Sequence, residues 1–511
     1  MKIAGLDIGT TGCKCTVFDG EGRFLDKAYQ EYPVKRVAGG HEIDITAVMD
    51  GVYATIRKMA ENYPDITGIG VTSFGETFVC TDEEGIPLYP AMLYTDPHGR
   101  EECRKLTERL GTKYIAHITG VHPHEMYSIS KLMWLKEHHP VVYAATKHVF
   151  LMEDYVVFHL TGAAQIDYSL AARTMAFDIR SLCWAPEIFE AAEIDMRLMS
   201  KPVPSGTGAG CITEQAEKNT GLARNTQVVS VGHDQVAAAV GAGVFDASIA
   251  VDGAGTVECL TPIYDNCPDI DTMFDGYFSV VPYVIPGKYV AYAFSYTGGA
   301  LIQWCVDTLA GKEKELAKEK GISVNEYLEQ EYFRQAGEKS GGINLAEGLE
   351  EPSDLLVLPH FAGAATPYMD TGSKGAILGL TVSTTVAQLY RGCMEGVAYE
   401  MVLNKRALEC SGIAFTRLHA AGGGARSRVW MQMKADMLNL PVVALKTADA
   451  GTVGSAMLTG VAIGIFSDLR DAAAHMVEEE ECYVPRAEMH EKYMKIYERY
   501  RKVYDAVRPI S

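Results

Sequence analysis

The chain begins MKIAGLDIGTTGCKCTVFD, and within it Gly5-Leu6-Asp7-Ile8-Gly9-Thr10-Thr11-Gly12 sets one carboxylate and three glycines into an otherwise apolar stretch. Residues 2–8 and 13–19 read as short β-rich runs, and the Gly-Thr-Thr-Gly between them has hairpin chemistry. Asp7 therefore falls at a strand end beside a turn. A turn of this kind offers backbone N–H groups and two hydroxyls to a phosphate oxygen, and Asp7 is placed to hold a metal ion facing the same phosphates. The alternative is that Asp7 and the glycines only build a tight turn, and on this stretch alone both readings stand.

A chain of 511 residues exceeds one ordinary core and predicts about two to three domains. Hydrophobic residues make up 48% and charged residues 22%, which are globular values. The formal net charge of −20 argues against a nucleic-acid or anionic-membrane partner. A phosphate site would have to be made locally positive by backbone N–H groups, helix N-termini, Mg²⁺ and a few basic side chains, with Lys14 placed to help. The twelve cysteines follow no paired spacing and read as reduced thiols. The N-terminus carries no signal-peptide pattern, so a cytoplasmic location is expected. The uncharged run from Ala450 to Phe466 is shorter than the about 20 apolar residues of a membrane span and reads as a buried helix.

Strand-like and helical runs alternate (strands at 2–8, 13–19, 67–73 and 77–81, a helix at 46–62), which is an α/β pattern. Val228-Val229-Ser230-Val231-Gly232 is a buried strand running into His233-Asp234-Gln235 and a small-residue helix from Val236 to Gly243. Ile249 to Leu260 then repeats the opening loosely: an apolar strand, a Gly/Thr turn and a second strand. A duplicated unit is expected, with domains at 1–245 and 246–511 and a cleft faced by both turns. No Gly-x-x-x-x-Gly-Lys-Ser/Thr loop and no dinucleotide fingerprint occur. Three other glycine-rich segments, at 9–12, 253–256 and 422–424, each follow an apolar run.

Together these segments resemble the FGGY carbohydrate kinases, of the wider superfamily that includes actin, hexokinase and the heat-shock chaperone ATPases. The resemblance spans nearly the whole chain and implies two ribonuclease-H-like (actin-like ATPase) domains with a cleft between them. Met126-Tyr127-Ser128-Ile129-Ser130-Lys131-Leu132-Met133-Trp134 through His138 fits the family's first signature at every defined position. The second signature is nearly matched over Gly375–Leu380, Gln388-Leu389 and Glu395, departing at Gly392 and Cys393. Leu358 to Tyr368 resembles the family's Leu-Pro-Tyr-x-x-Gly-Glu-Arg-x-Pro segment, with Ala364-Ala365 in place of the Glu-Arg pair.

The resemblance implies an ATP- and Mg²⁺-dependent kinase acting on a small sugar or polyol, with a homodimer compatible. It places Thr10, Thr11 and Lys14 at the first phosphate turn, Gly255 and Thr256 at the second, and Gly299 and Gln303 along the nucleotide. Gly423, Gly424 and Ser427 would flank adenine and ribose, although a helix cap or close packing accounts for any one of these glycines alone. Asp234 is assigned as general base and Asp7 to the metal and phosphates. Asp234 equally suits an N-cap for a helix starting at Val236. Glu76, Asp96, Met126, Asp234 and Gln235 would line the sugar, since carboxylates accept paired hydrogen bonds from vicinal hydroxyls. Gly75 stands where glycerol kinases carry Arg, and Met126 where they carry Tyr, which argues against glycerol. Phe74-Gly75-Glu76 is not the Gln-Met-His of typical xylulokinases either. A ketopentose of the xylulose type or a related polyol is favoured, with fuculose, gluconate and erythritol as alternatives. A filament or chaperone ATPase and an inactive sugar sensor are the rival classes. His117, His122 and His124 lack a completing carboxylate or Cys and are not expected to bind metal. The segment 439–466 and the charged tail from Glu478 to Arg508 show no chemistry, the tail reading as a solvated face.

Overall fold

The structure, a computed structural model of the chain, describes residues 1–37, 40–340, 351–447 and 449–511. The opening hairpin seeds the first of two large sheets. β1 (Lys2–Ile8) pairs antiparallel with β2 (Gly12–Asp19), with Asp7 opposite Lys14, and the Gly9 N–H closes the turn on the Gly12 carbonyl at 2.9 Å. β3 (Phe24–Glu31) extends the meander, β4 (Ile66–Ser73) runs parallel to β1, and β5 (Thr207–Cys211) and β6 (Gln227–His233) complete the order β5-β6-β4-β1-β2-β3. β1, β4 and β6 are parallel and buried on both faces, hence their near-continuous apolar runs.

The second sheet repeats this plan. β7 (Ile249–Ala254) forms an antiparallel hairpin with β8 (Glu258–Tyr264), β9 (Ser279–Pro282) and β10 (Tyr289–Ser295) extend it, and β11 (Arg417–Ala421), β12 (Val442–Leu445) and β13 (Glu479–Tyr483) follow on the other side. The order is β9-β10-β8-β7-β11-β12-β13. Each sheet thus has an antiparallel hairpin extended by further antiparallel strands (β3 in the first sheet; β10 and then β9 in the second), two strands parallel to its first, and an antiparallel strand beyond. The sequence repeat is a repeat of topology.

Six helices position the site: α1 (Ile45–Asn62), capped by Asp44, α2 (Ser128–His138), α3 (Asp234–Gly241), α4 (Gly299–Leu309), α5 (Arg428–Leu438) and α6 (Ala450–Ala462). α6 comes from the far end of the chain yet lies on the first sheet and across α3. A Cβ on Gly454 would sit 1.8 Å from the Ala237 carbonyl oxygen, one on Gly241 1.9 Å from that of Ala450, and one on Gly5 2.0 Å from that of Thr452. Only glycine permits these backbones to touch.

Three local expectations change. The helix after β6 starts at Asp234 rather than Val236, and His233, not Asp234, occupies the cap position. The buried helix expected over Ala450 to Phe466 is α6, which ends earlier, at Ala462. The charged tail contains a helix, Ala487–Tyr500, that buries Tyr493, Tyr497 and Tyr500, so one of its faces is core. All twelve cysteines are unpaired, and among the described residues no helix is long and apolar enough to cross a membrane.

Gly454→Ala forces a methyl into the α3–α6 contact. Overpacking of this kind costs about 1–3 kcal/mol, so the melting temperature is expected to fall by several degrees in calorimetry. An unchanged melt would show that the helices are free to separate.

Candidate active site

Asp7 is the next-to-last residue of β1, with its carboxylate against the start of α6, where a Cβ on Gly451 would lie 2.9 Å from Oδ2. It has no hydrogen-bond partner among the described residues. Burial pushes it up to about 6, opposed by the Lys14 charge and reinforced by Asp449. Lys14 does not neutralise Asp7 directly: its ammonium is bonded to Asp449, which also takes Lys27 at 3.1 Å. Lys14 therefore sits beside the first turn with its charge engaged. Thr10 and Thr11 form the tip of that turn, and the Tyr32 hydroxyl donates to the Gly9 carbonyl from behind. An uncompensated hard carboxylate beside open N–H groups and hydroxyls fits Mg²⁺, which takes one or two carboxylates and shares the rest of its shell with phosphates and water.

Asp234 opens α3 at the carboxyl end of β6. Gly232 makes the approach possible: its φ is 123°, and a Cβ there would strike the buried Asp167 carboxylate at 2.4 Å. Asp234 makes no capping bond. Burial, then the charges of Asp7 and Glu76, raise it to about 8, with the Gln235 N–H and Arg173 opposing. His233 lies beside it, Nε2 3.3 Å from Oδ1, and its Nδ1 is 3.0 Å from the Tyr292 hydroxyl on β10 of the other sheet. Burial and the Arg173 charge push His233 well below its usual range, so the ring is neutral.

Glu76 is buried, with φ 64°, a left-handed conformation uncommon outside glycine and typical of residues held for function. The Ser128 hydroxyl at the start of α2 donates to its carbonyl at 2.6 Å, which ties the first signature to this corner. Arg173 donates through Nε at 2.7 Å and through Nη2 to Glu76 Oε1. The rings of Tyr127 and Tyr292 flank the guanidinium, with centroids at 5.2 and 5.4 Å. Met126 lines a narrow cavity with His122, His124, Tyr127 and Arg173. Asp96 is buried but committed locally, accepting from the backbone of His41 at 2.6 Å and His98 at 3.0 Å and pairing with the His98 ring at 2.7 Å. Gln235 is half-buried beside Asp234, its side chain free of hydrogen bonds among the described residues. His117, His122 and His124 do not converge: His122 stacks on Phe274 at 4.3 Å and His117 faces Asp271 at 3.4 Å.

The three remaining glycine-rich pieces meet. The Gly255 and Thr256 carbonyls accept from the Gly299 and Ala300 N–H groups at 2.8 and 3.0 Å, so the second turn is fastened to the start of α4. Gly422, with φ 100°, passes the Ala254 carbonyl, where a Cβ would come within 2.7 Å. Gly423 faces open space and Gly424 packs on Trp430 and Ala254. Gln303 is exposed on α4 and donates to Asp307 at 2.8 Å. Ser427 caps α5 through Trp430 N–H at 3.1 Å and donates to Glu329 at 2.7 Å, so its hydroxyl is already occupied.

Two domain models of the FGGY family of carbohydrate kinases match this chain, the N-terminal domain over residues 2–241 and the C-terminal domain over residues 265–463. The chain belongs to the FGGY carbohydrate kinases. Its fold is accordingly a pair of ribonuclease-H-like domains of the actin-like ATPase type, and the family's members are ATP-dependent sugar kinases. Among relatives, a xylulose kinase of Lactococcus lactis subsp. lactis is 25% identical over 97% of this chain and 94% of its own. A glycerol kinase of Halorhodospira halophila is 28% identical over 96% and 93%. A ligand-bound xylulose kinase from Lactobacillus acidophilus superposes with a TM-score of 0.87 at 21% identity, covering 99% of this chain and 98% of that one, which is agreement in fold.

Reading the sequence missed Arg173, Tyr127, Tyr292 and the position of His233. Arg173 carried a signal of the same kind as Asp7, a lone charge inside the apolar run Leu170–Phe177.

The raised Asp234 has a measurable effect on stability. Its folded value of about 8 stands above its ordinary 3.8, so the stabilisation from its protonated form is complete below about 4 and lost as pH climbs through 8. Asp234→Asn does not titrate. The melting temperature of the variant is expected to exceed that of the parent by a margin that grows from pH 4 to 8 and then levels. A margin that shrinks with pH would contradict this environment for Asp234.

Proposed function

We propose that this FGGY kinase transfers the terminal phosphoryl group of ATP to a terminal hydroxyl of a ketopentose of the xylulose type, or of a related sugar or polyol. The observation that carries the reading is Asp234 itself. It is a carboxylate at a parallel strand's end, with no capping role, between Asp7 and Glu76 and raised toward the pH range where a base works best. Asp234 accepts the hydroxyl proton as the sugar oxygen bonds to the γ-phosphorus. The bond from that phosphorus to the bridging oxygen breaks, and ADP leaves with the electron pair. Glu76, Asp96, Met126 and Gln235 bound the sugar. Thr10, Thr11 and Lys14 on one side and Gly255, Thr256, Gly299, Gln303, Gly423, Gly424 and Ser427 on the other bound the nucleotide. Residues 1–245 carry the sugar side and the first phosphate turn, and 246–511 carry the nucleotide side.

Asp7 would hold Mg²⁺. Bound there, the ion would offset charge on the transferring phosphates. A cytoplasmic setting agrees with twelve unpaired thiols.

A coupled ADP-release screen over ketoses, aldoses and polyols tests the assignment. At least one neutral sugar is expected to raise ADP release far above the basal rate, and an ATPase indifferent to every sugar would overturn it. Asp234→Asn is expected to lower turnover by roughly 10² to 10⁴ with little change in sugar affinity. Near-parental turnover would mean that another group takes the proton. Asp7→Ala is expected to weaken Mg-ATP use more than sugar binding, and calorimetry showing unchanged Mg-ATP binding would remove Asp7 from the metal.

A further inference from the structure

Given the kinase reading above, on which this inference rests, the open question is which chemical class of sugar the cleft accepts. The Arg173 charge reaches both Asp234 and His233. Its Nε and Nη2 are committed to Glu76 Oε1, while Nη1 is buried and has no hydrogen-bond partner among the described residues. A buried donor left unmade is costly, about 1–3 kcal/mol, and calls for an acceptor that arrives later. The cavity beside it is lined by His122, His124, Met126 and Tyr127. Burial lowers both histidines below their usual range, so they bring no positive charge. The Tyr127 hydroxyl is bonded to Ser279 at 3.0 Å. Gly75 completes the fit, because a Cβ there would lie 3.0 Å from Arg173 Cγ, and the guanidinium stem occupies the space a side chain would need.

We propose that the Arg173–Glu76 pair, neutral as a unit, selects an uncharged polyhydroxy substrate over a sugar acid, with Arg173 Nη1 donating to a hydroxyl or carbonyl oxygen of that substrate. A carboxylate on the sugar would meet Asp7, Glu76 and Asp234. The nearby cations are engaged: Lys14 by Asp449, Arg173 by Glu76, and Lys131 by the Glu125 carbonyl. A neutral hydroxyl or ketone needs only the donor. Arg173 is thus a specificity residue, and its ion pair with Glu76 is what hides its charge.

The test measures kcat/KM of the full-length enzyme for neutral ketoses and alditols against aldonates of the same carbon number, with melting curves as the check on folding. The parent is expected to favour the neutral class by about a hundredfold or more. Glu76→Gln exposes the guanidinium charge, and aldonate kcat/KM is expected to rise at least tenfold while the neutral class loses. Arg173→Gln is expected to raise KM for the neutral sugar about tenfold or more, with a smaller change in kcat and no gain in aldonate use. Removing one partner of a buried pair endangers folding, so Arg173→Gln/Glu76→Gln, which buries no charge, is made alongside. It is expected to raise KM for the neutral sugar and still to reject aldonates. A parent that uses aldonates as well as neutral sugars, a folded Glu76→Gln with parental selectivity, or a double variant with parental KM would each overturn the proposal. These outcomes leave the kinase assignment standing. A parent that binds ATP and phosphorylates none of the compounds defeats the kinase assignment and this inference together.

Discussion

The α3–α6 contact is the constraint on which the site depends. Gly241 and Gly454 bring two helix backbones to a separation that no side chain could share, and Gly5 seats α6 on β1 by the same means. The contact places two helix N-termini and one strand end in a single corner. α3 begins with Asp234, α6 begins just after Asp449, and Asp7 sits one residue before the end of β1. The first turns of both helices face this corner, and their dipoles supply positive potential in a chain of net charge −20. Close packing of glycines is therefore what brings Asp7, Asp234 and Asp449 to one place.

The duplicated hairpins show how the same framework is put to different uses. With Gly9-Thr10 matched to Gly255-Thr256, Asp7 falls two residues before its glycine and Asp252 falls three before. Successive strand residues point to opposite faces, so the one-residue offset turns the second carboxylate away from the cleft side. Asp252 is fully buried and pairs at 2.7 Å with Lys434 on α5, which also takes Glu258. That charge is satisfied inside the protein. Asp7 has no such partner among the described residues and carries the cost of burial.

Much of this was legible in the sequence, because it rests on local pattern. The strand-turn-strand units, the repeated start near Ile249, the glycine segments and the strand leading to His233-Asp234 all follow from apolar runs broken by Gly and Thr. What escaped depends on partners far away in the chain. Arg173 meets Glu76 across 97 positions, and Lys14 meets Asp449 across 435. No local rule anticipates that Lys14 is engaged, or that Ser427 caps a helix whose start is set by tertiary packing. The alternative reading of Asp234 as a helix cap failed for a related reason. The helix starts two residues earlier than the small-residue pattern suggested, since β6 ends where Gly232 turns over Asp167.

His233 joins the two halves of the site. Its ring is neutral, burial holds the Tyr292 phenol well above its usual range, and the phenol and Nδ1 share a hydrogen bond at 3.0 Å. The other ring nitrogen, Nε2, lies 3.3 Å from Asp234 Oδ1. A phenol on the second sheet thus helps hold a histidine of the first sheet beside Asp234. Separation of the sheets would take the Tyr292 hydroxyl away and leave the His233 ring without this partner. The surroundings of Asp234 are in this way tied to the relative position of the two sheets.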